Sequence, residues 1–417
     1  MLKNIFIQNK ETISNYLWRA LQLLGKEGVT FFIFFISAKY LNPIEFGTYN
    51  YLLAAIFFLI MFGDFGISNA TSKFVTEYEI VDKDKLKAVL FNSSIIIAIL
   101  SLIIIVFTFF FGHSYFKEKF LYVTYLLPLV FLAPMTSLYD GIYRGLKRFK
   151  SLTIISLCVG LPFLPFTVLL IKQYGLVGAL LAQVLFYLIL LFALGAFYRE
   201  WHFKIHKKLI LEINKYSLII GFSTLGFFLF TRINVLILGQ YNFIEQIGYY
   251  EIINKLFAAL LIPFGILSQV IAPQVTTAVA RKDGPILRNL FKRYISFAAI
   301  TSTILAIGVY FGFPILATLF LHGYDTKSIV MILNILLILL ISQSVSNVAS
   351  IGFSTASGHA HLNMYFLIVF GVINVILTTI FVKLFGFIGV IYSTVIIKLV
   401  ADISFTALYY ILYVREK

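Results

Sequence analysis

Twelve apolar stretches run along this chain, and the loops between them alternate between rich and poor in Lys and Arg. A span needs about 20 mainly apolar residues to cross roughly 30 Å of hydrocarbon. Inside that layer each backbone N–H and C=O must be satisfied within its own segment, so spans of this length are helices. The expected spans lie near residues 17–39, 47–70, 88–111, 120–142, 151–171, 175–197, 216–238, 247–272, 293–318, 328–355, 362–382 and 387–413. The chain therefore reads as an all-α, multi-pass protein of the inner membrane, in keeping with a composition 60% hydrophobic and 12% charged. Leu2 to Arg19 is polar and charged and offers no small-residue cleavage site after an apolar core, so the first span is expected to be retained. The single Cys158 lies within a span, which leaves neither a disulfide framework nor a thiol metal site.

Orientation follows from the loops. If the N-terminus is inside, 23 of the 33 Lys and Arg fall on the inner side, in clusters such as Lys83, Lys85 and Lys87 or Arg144, Lys147, Arg148 and Lys150. Only Lys39, Lys117, Lys119, Lys172, Lys327 and Lys383 fall outside. Cationic loops stay in the cytoplasm, so both termini are expected there. That asymmetry accounts for most of the formal charge of +15, and no nucleic-acid partner is needed to explain it.

The chain also repeats itself. Tyr40, Gly47 and Tyr49 recur 201 residues later as Tyr241, Gly248 and Tyr250. Lys172, Tyr174, Gly175 and Gly178 recur 211 residues later as Lys383, Phe385, Gly386 and Gly389. Six spans per half is an even number, so both halves enter the membrane from the same side and the repeats are parallel. The expected domains are six-helix bundles at residues 1–209 and 210–417, joined by the basic segment from Tyr198 to Lys215. Two such bundles with a cleft between them make an alternating-access transporter. No HExxH, GxSxG or paired-carboxylate metal motif points to an enzyme, and no metal or cofactor is expected. His359 and His361 fall at an expected span end, where a solvated interfacial role is the simpler reading.

The run Ala38-Lys39-Tyr40-Leu41-Asn42-Pro43-Ile44-Glu45-Phe46-Gly47-Thr48-Tyr49, followed by Gly63-Asp64-Phe65-Gly66-Ile67-Ser68, resembles the polysaccharide-repeat (O-antigen type) flippases. These belong to the superfamily of multidrug, oligosaccharidyl-lipid and polysaccharide exporters, with the MATE exporters and lipid II flippases. Leu238-Gly239, Gly248-Tyr249-Tyr250, Pro263 and Ala272-Pro273 resemble the family's seventh and eighth helices, and the Gly175 and Gly389 segments its sixth and twelfth. Arg232 and Asn234 stand where many relatives carry an acidic residue. The resemblance implies a MATE-like fold of twelve helices and a flippase for an oligosaccharide repeat unit on undecaprenyl pyrophosphate. It also implies H+ or Na+ coupling, a polymerase or other pathway proteins as partners, and a place in O-antigen, lipopolysaccharide or capsule assembly. Two rivals are a cation-coupled multidrug exporter of the same fold and a membrane glycan ligase or glycosyltransferase. The latter would need an acidic residue in a large outer loop, and every outer loop here is short.

An ionised side chain at the bilayer centre costs about 2.5–3.5 kcal/mol on insertion scales, so a retained one faces a cavity or a partner. Lys26, Lys255, Arg232 and Lys398 are candidate phosphate contacts, with Arg232 able to snorkel outward. Glu27, Asp64, Glu251 and Asp402 are candidate ion-coupling or ion-pairing groups; Glu251 and Lys255, and Lys398 and Asp402, are each one turn apart. For Lys398 and Asp402 the mutual pair is favoured, and Asp140 with Arg144 reads as a clamp at the inner end of the fourth span. Gln343, Asn347, Ser350, Ser354, Ser357 and His361 follow helical spacing and form one expected polar stripe. Gln343 and Asn347 are its candidate sugar contacts.

Overall fold

The computed structural model describes residues 28–198, 203–321 and 323–415, which form helices and turns with no strand. Lys26 and Glu27 lie outside the described residues. The helices are α1 (Gly28–Tyr40), α2 (Pro43–Asp64), α3 (Ile67–Val81), α4 (Lys83–Phe116), α5 (Phe120–Leu126), α6 (Leu129–Gly145) and α7 (Phe149–Phe197). Then come α8 (Lys207–Thr231), α9 (Ile233–Gln240), α10 (Ile244–Ala280), α11 (Gly284–Phe320), α12 (Thr326–Asn347) and α13 (Ala360–Tyr409). A π-helical segment, Val348–Thr355, extends α12. Among the described residues, eight helical stretches are long and apolar enough to cross a membrane.

Aspartates start several of these helices. Asp82, Asp283 and Asp325 each accept a hydrogen bond from a backbone N–H in the first turn, at Lys85 (3.0 Å), Ile286 (3.0 Å) and Lys327 (3.1 Å). These N–H groups have no partner within the helix, and a carboxylate satisfies one of them. At the exposed Asp325 the Ser328 hydroxyl and backbone N–H, with Lys327, hold the carboxyl below its usual range. Asp82 and Asp283 are 201 residues apart, the same offset as the Gly47 and Gly248 motifs.

The second repeat is written in the backbone. α7 and α13 each contain one residue far from helical geometry, Gly175 (φ 54°, ψ −128°) and Gly386 (φ 62°, ψ −143°). Only glycine adopts such angles without strain. A Cβ on Gly178 would overlap the Leu170 carbonyl oxygen, and one on Gly389 would overlap that of Phe381. In a straight helix residues eight apart are separated by about 12 Å, so each long helix turns sharply back on itself at its glycine. Lys147 (φ 56°) and Gly358 (φ 86°), also 211 residues apart, take the left-handed turn before these hairpins.

Two compact units emerge. Among the described residues, one comprises those up to Leu41 and from Leu52 to Thr224; the other comprises Asn42–Tyr51 and those from Leu225 on. The first is centred on Val123, Leu126, Val130, Ile142, Leu180 and Phe186, none of them exposed. The second has a core built from Phe264, Ile271, Val275, Phe291, Val348, Phe353 and Tyr409. Within it the start of α2 lies against the start of α10: a Cβ on Gly47 would overlap the Ile244 carbonyl, and Gly248 faces Phe46 and the Pro43 carbonyl. Two glycines of one repeated motif thus let two backbones meet. Outward faces are apolar, as at Leu102, Phe107, Phe110 and Phe111 of α4. This is the surface a bilayer covers, since hydrocarbon is no less apolar than these side chains.

Candidate functional site

Two of the charged residues foreseen from the sequence, Arg232 and Glu251, meet where α8 breaks. Arg232 leaves helical geometry (φ −123°, ψ −19°), although neither Gly nor Pro lies beside it, and α9 restarts at Ile233. The break turns Arg232 toward α10, where its Nη1 donates to Glu251 Oε2 at 2.7 Å. Asn254 Nδ2 donates to the other carboxylate oxygen at 2.9 Å. Glu251 is 3% exposed, so its charge is desolvated and needs both donors. Arg232, its side chain 41% exposed, is held by the carboxylate on α10. Lys255, one turn beyond Glu251, is half-buried.

Two residues past Arg232, at Asn234, begins a cluster the sequence reading missed. Asn234 Nδ2 donates to Thr394 Oγ1 (2.8 Å), and Asn234 Oδ1 accepts from Asn374 Nδ2 (3.0 Å) and Thr378 Oγ1 (3.3 Å). Thr378 Oγ1 also meets Ser393 Oγ at 2.9 Å, and Tyr250 Oη is within 3.4 Å of both Asn234 and Thr394. All six residues are essentially buried. Every named amide and hydroxyl has a partner, so the network fixes α9, α10 and the two arms of α13 in one register. The signal lay in the sequence: Asn374 and Thr378 are four apart in an otherwise apolar arm, as are the charge pairs that were singled out.

The other candidates stand elsewhere. Asp64 accepts from the Ser68 backbone N–H (2.8 Å) and hydroxyl (2.7 Å), capping the restart of the helix after Phe65 and Gly66. Asp402 on α13, 8% exposed, accepts from the Ser342 hydroxyl of α12 at 2.8 Å. Lys398, the partner favoured from the sequence, lies one turn back and acts on it electrostatically without a direct ion-pair contact among the described residues. Asp140 does clamp Arg144, at 2.8 Å.

The expected polar stripe on α12 does not continue as one face. Gln343 and Asn347 lie on regular helix and are half-buried, but the π segment begins at Val348. Its wider turn shifts every later residue off the 3.6-residue register. Ser354 Oγ then donates to the His359 carbonyl (2.9 Å), and Ser357 Oγ meets His359 Nδ1 and Tyr409 Oη, both at 2.9 Å. These serines close the helix end. His359 packs on Tyr413 and His361 near Tyr365.

The family model for polysaccharide biosynthesis proteins matches residues 13–279. No curated protein matches the chain. Among solved structures, an inward-facing multidrug resistance MATE family transporter aligns with TM-score 0.77 at 16% identity, covering 94% of each chain. The lipid II flippase MurJ, in an inward closed conformation, aligns with TM-score 0.73 at 16% identity over 95% of this chain and 87% of its own. The Vibrio cholerae MATE transporter VcmN in its bent form aligns with TM-score 0.61 at 13% identity over 96% of each chain. At such identities the likeness concerns the fold, which is that of membrane transporters.

Proposed function

We propose a function from one premise: the chain belongs to the polysaccharide biosynthesis protein family. It is a multi-pass membrane protein with a transporter's fold rather than an enzyme's. Our reading is that it moves an oligosaccharide repeat unit, carried on undecaprenyl pyrophosphate, from the cytoplasmic to the periplasmic leaflet of the inner membrane. The family match carries this reading, and the fold shared with a lipid II flippase supports it. Twelve spans in two six-helix bundles, residues 1–209 and 210–417, would alternate access with both termini in the cytoplasm.

The task is to bring a pyrophosphate and several sugars across hydrocarbon while the prenyl tail stays in lipid. No bond is made or broken. Lys26, Lys255 and Lys398 are our candidates for the pyrophosphate, because a desolvated ammonium holds a phosphate far more strongly than one in water. Arg232 is a poorer candidate, its guanidinium already being engaged by Glu251. Gln343 and Asn347 offer amides to sugar hydroxyls, and Asp402 is our candidate for H+ or Na+ coupling. The glycan assembled, whether O-antigen, lipopolysaccharide or capsule, follows from the cargo.

Lys255→Ala in the native host tests the phosphate assignment. Glycan at the cell surface should be abolished and lipid-linked repeat units should accumulate in the inner leaflet, with the protein at normal abundance. Lys255→Arg should keep part of the export, since charge survives with altered geometry. Normal surface glycan in Lys255→Ala cells would remove Lys255 from the site. A multidrug exporter is the second reading, favoured by the 0.77 TM-score to a drug transporter. It predicts altered drug resistance in place of altered glycan.

A further inference from the structure

α3 has two faces. Ile67, Ser68, Ala70, Thr71, Phe74, Val75 and Tyr78 are buried. The opposite face carries Asn69, Ser72, Lys73, Thr76, Glu77 and Ile80, at spacings that keep them on one side of a helix. These six residues and Arg144 of α6 line an open surface groove of about 630 Å³. All seven belong to one compact unit.

Close packing of α3 on α6 shapes the groove. Gly141 and Gly145 of α6 let the two helices touch: a Cβ on Gly141 would overlap the Ser68 carbonyl, and one on Gly145 would lie 2.8 Å from that of Ser72. Thr76 Oγ1 donates to the Gly145 carbonyl at 3.1 Å. Arg144, between the two glycines, is thereby delivered onto the polar face of α3. Its Nε meets Asp140 at 2.8 Å and its Nη2 donates to Asn69 Oδ1 at 3.3 Å. Lys73 is steadied over the rings of Tyr216 and Phe74, 4.3 and 4.9 Å from their centroids.

The mixture of groups points to a class of ligand. Two cations, Lys73 and Arg144, are offset by Glu77 in the lining and Asp140 behind it, so the groove has no net charge with which to prefer a phosphate. It offers guanidinium, ammonium, amide, hydroxyl and carboxylate groups side by side. Such a set suits sugar hydroxyls, each of which donates and accepts. The groove also lies on the helix that runs into Lys83, Lys85 and Lys87, the basic loop our topology places in the cytoplasm, where the sugars of the lipid-linked cargo begin.

We infer that this α3–α6 groove binds the sugar portion of the cargo on the cytoplasmic side. The inference rests on the proposed flippase reading and names a site for it that the sequence did not suggest. Native mass spectrometry of the purified full-length protein tests it with two probes, bare undecaprenyl pyrophosphate and undecaprenyl pyrophosphate bearing the host's repeat unit. The wild type should bind the glycosylated probe more tightly. Ser72→Phe, which sets a ring across the groove, should lower that affinity at least about tenfold, a difference of about 1.4 kcal/mol, and leave the bare lipid unchanged. Glu77→Gln, at an exposed position that does not threaten folding, should lower it several-fold through loss of an acceptor. If both variants keep wild-type affinity for the glycosylated probe, the groove is not the sugar site and the flippase reading stands. If the wild type binds neither lipid, the flippase reading fails and the sugar site with it.

Discussion

Arg232→Leu should destabilise the protein by about 3–5 kcal/mol, because it strands a carboxylate that is only 3% exposed. Glu251 keeps the Asn254 amide at one oxygen but loses the guanidinium at the other. Native proteins hold only about 5–15 kcal/mol in reserve, so this single change should sharply reduce folded protein. Removing both charges, in Arg232→Leu, Glu251→Leu, should recover most of the loss, since no buried charge then lacks a partner. Thermal unfolding of the detergent-solubilised variants reads the difference. If Arg232→Leu unfolds like wild type and loses only cargo binding, Arg232 is a substrate contact and the structural pairing is wrong.

Asp402→Asn should abolish gradient-driven transport while leaving exchange of cargo down its own gradient. Asparagine keeps the shape and can still accept the Ser342 hydrogen bond, but it can neither take up a proton nor hold a cation by charge. The groups facing Asp402 are Ser342 and Ser346 on α12 and, one turn back on its own helix, Lys398. The carboxylate thus sits in a nearly enclosed setting of hydroxyls with one ammonium nearby, where gaining or losing H+ or Na+ would change how α12 and α13 hold together. The measurement is uptake by proteoliposomes under imposed pH or Na+ gradients. Full gradient-driven uptake by Asp402→Asn would place coupling elsewhere, with Asp64 as the next candidate.

Elements and their turns were legible in the sequence because they depend on local chemistry. Gly175 and Gly386 announced themselves through a repeat, and the backbone there adopts angles that glycine alone takes easily. The clamp between Asp140 and Arg144 needs only one-turn spacing. Partners of buried charges were less legible, because spacing shows which residues share a face and not what that face meets. Glu251 pairs with Arg232 across a helix break that no Gly or Pro signals, and Asn234 finds Asn374 140 residues away. The α12 stripe failed for another reason: it assumed 3.6 residues per turn through Val348–Thr355, where the helix is wider. The face of α3 was visible as a pattern, but its meaning depended on glycines of α6 drawing Arg144 onto it.

Carriage of lipid-linked oligosaccharide between leaflets is the proposed function. Proteoliposomes containing undecaprenyl pyrophosphate with the host's repeat unit in both leaflets test it directly, with an impermeant glycosidase added outside. Without protein, the inner-leaflet share should remain protected. With protein, that share should become cleavable, and Lys255→Ala should restore protection. A protected fraction that persists in the presence of wild-type protein, while the same vesicles accumulate a cationic drug, would rule out the flippase and establish a drug exporter on this fold.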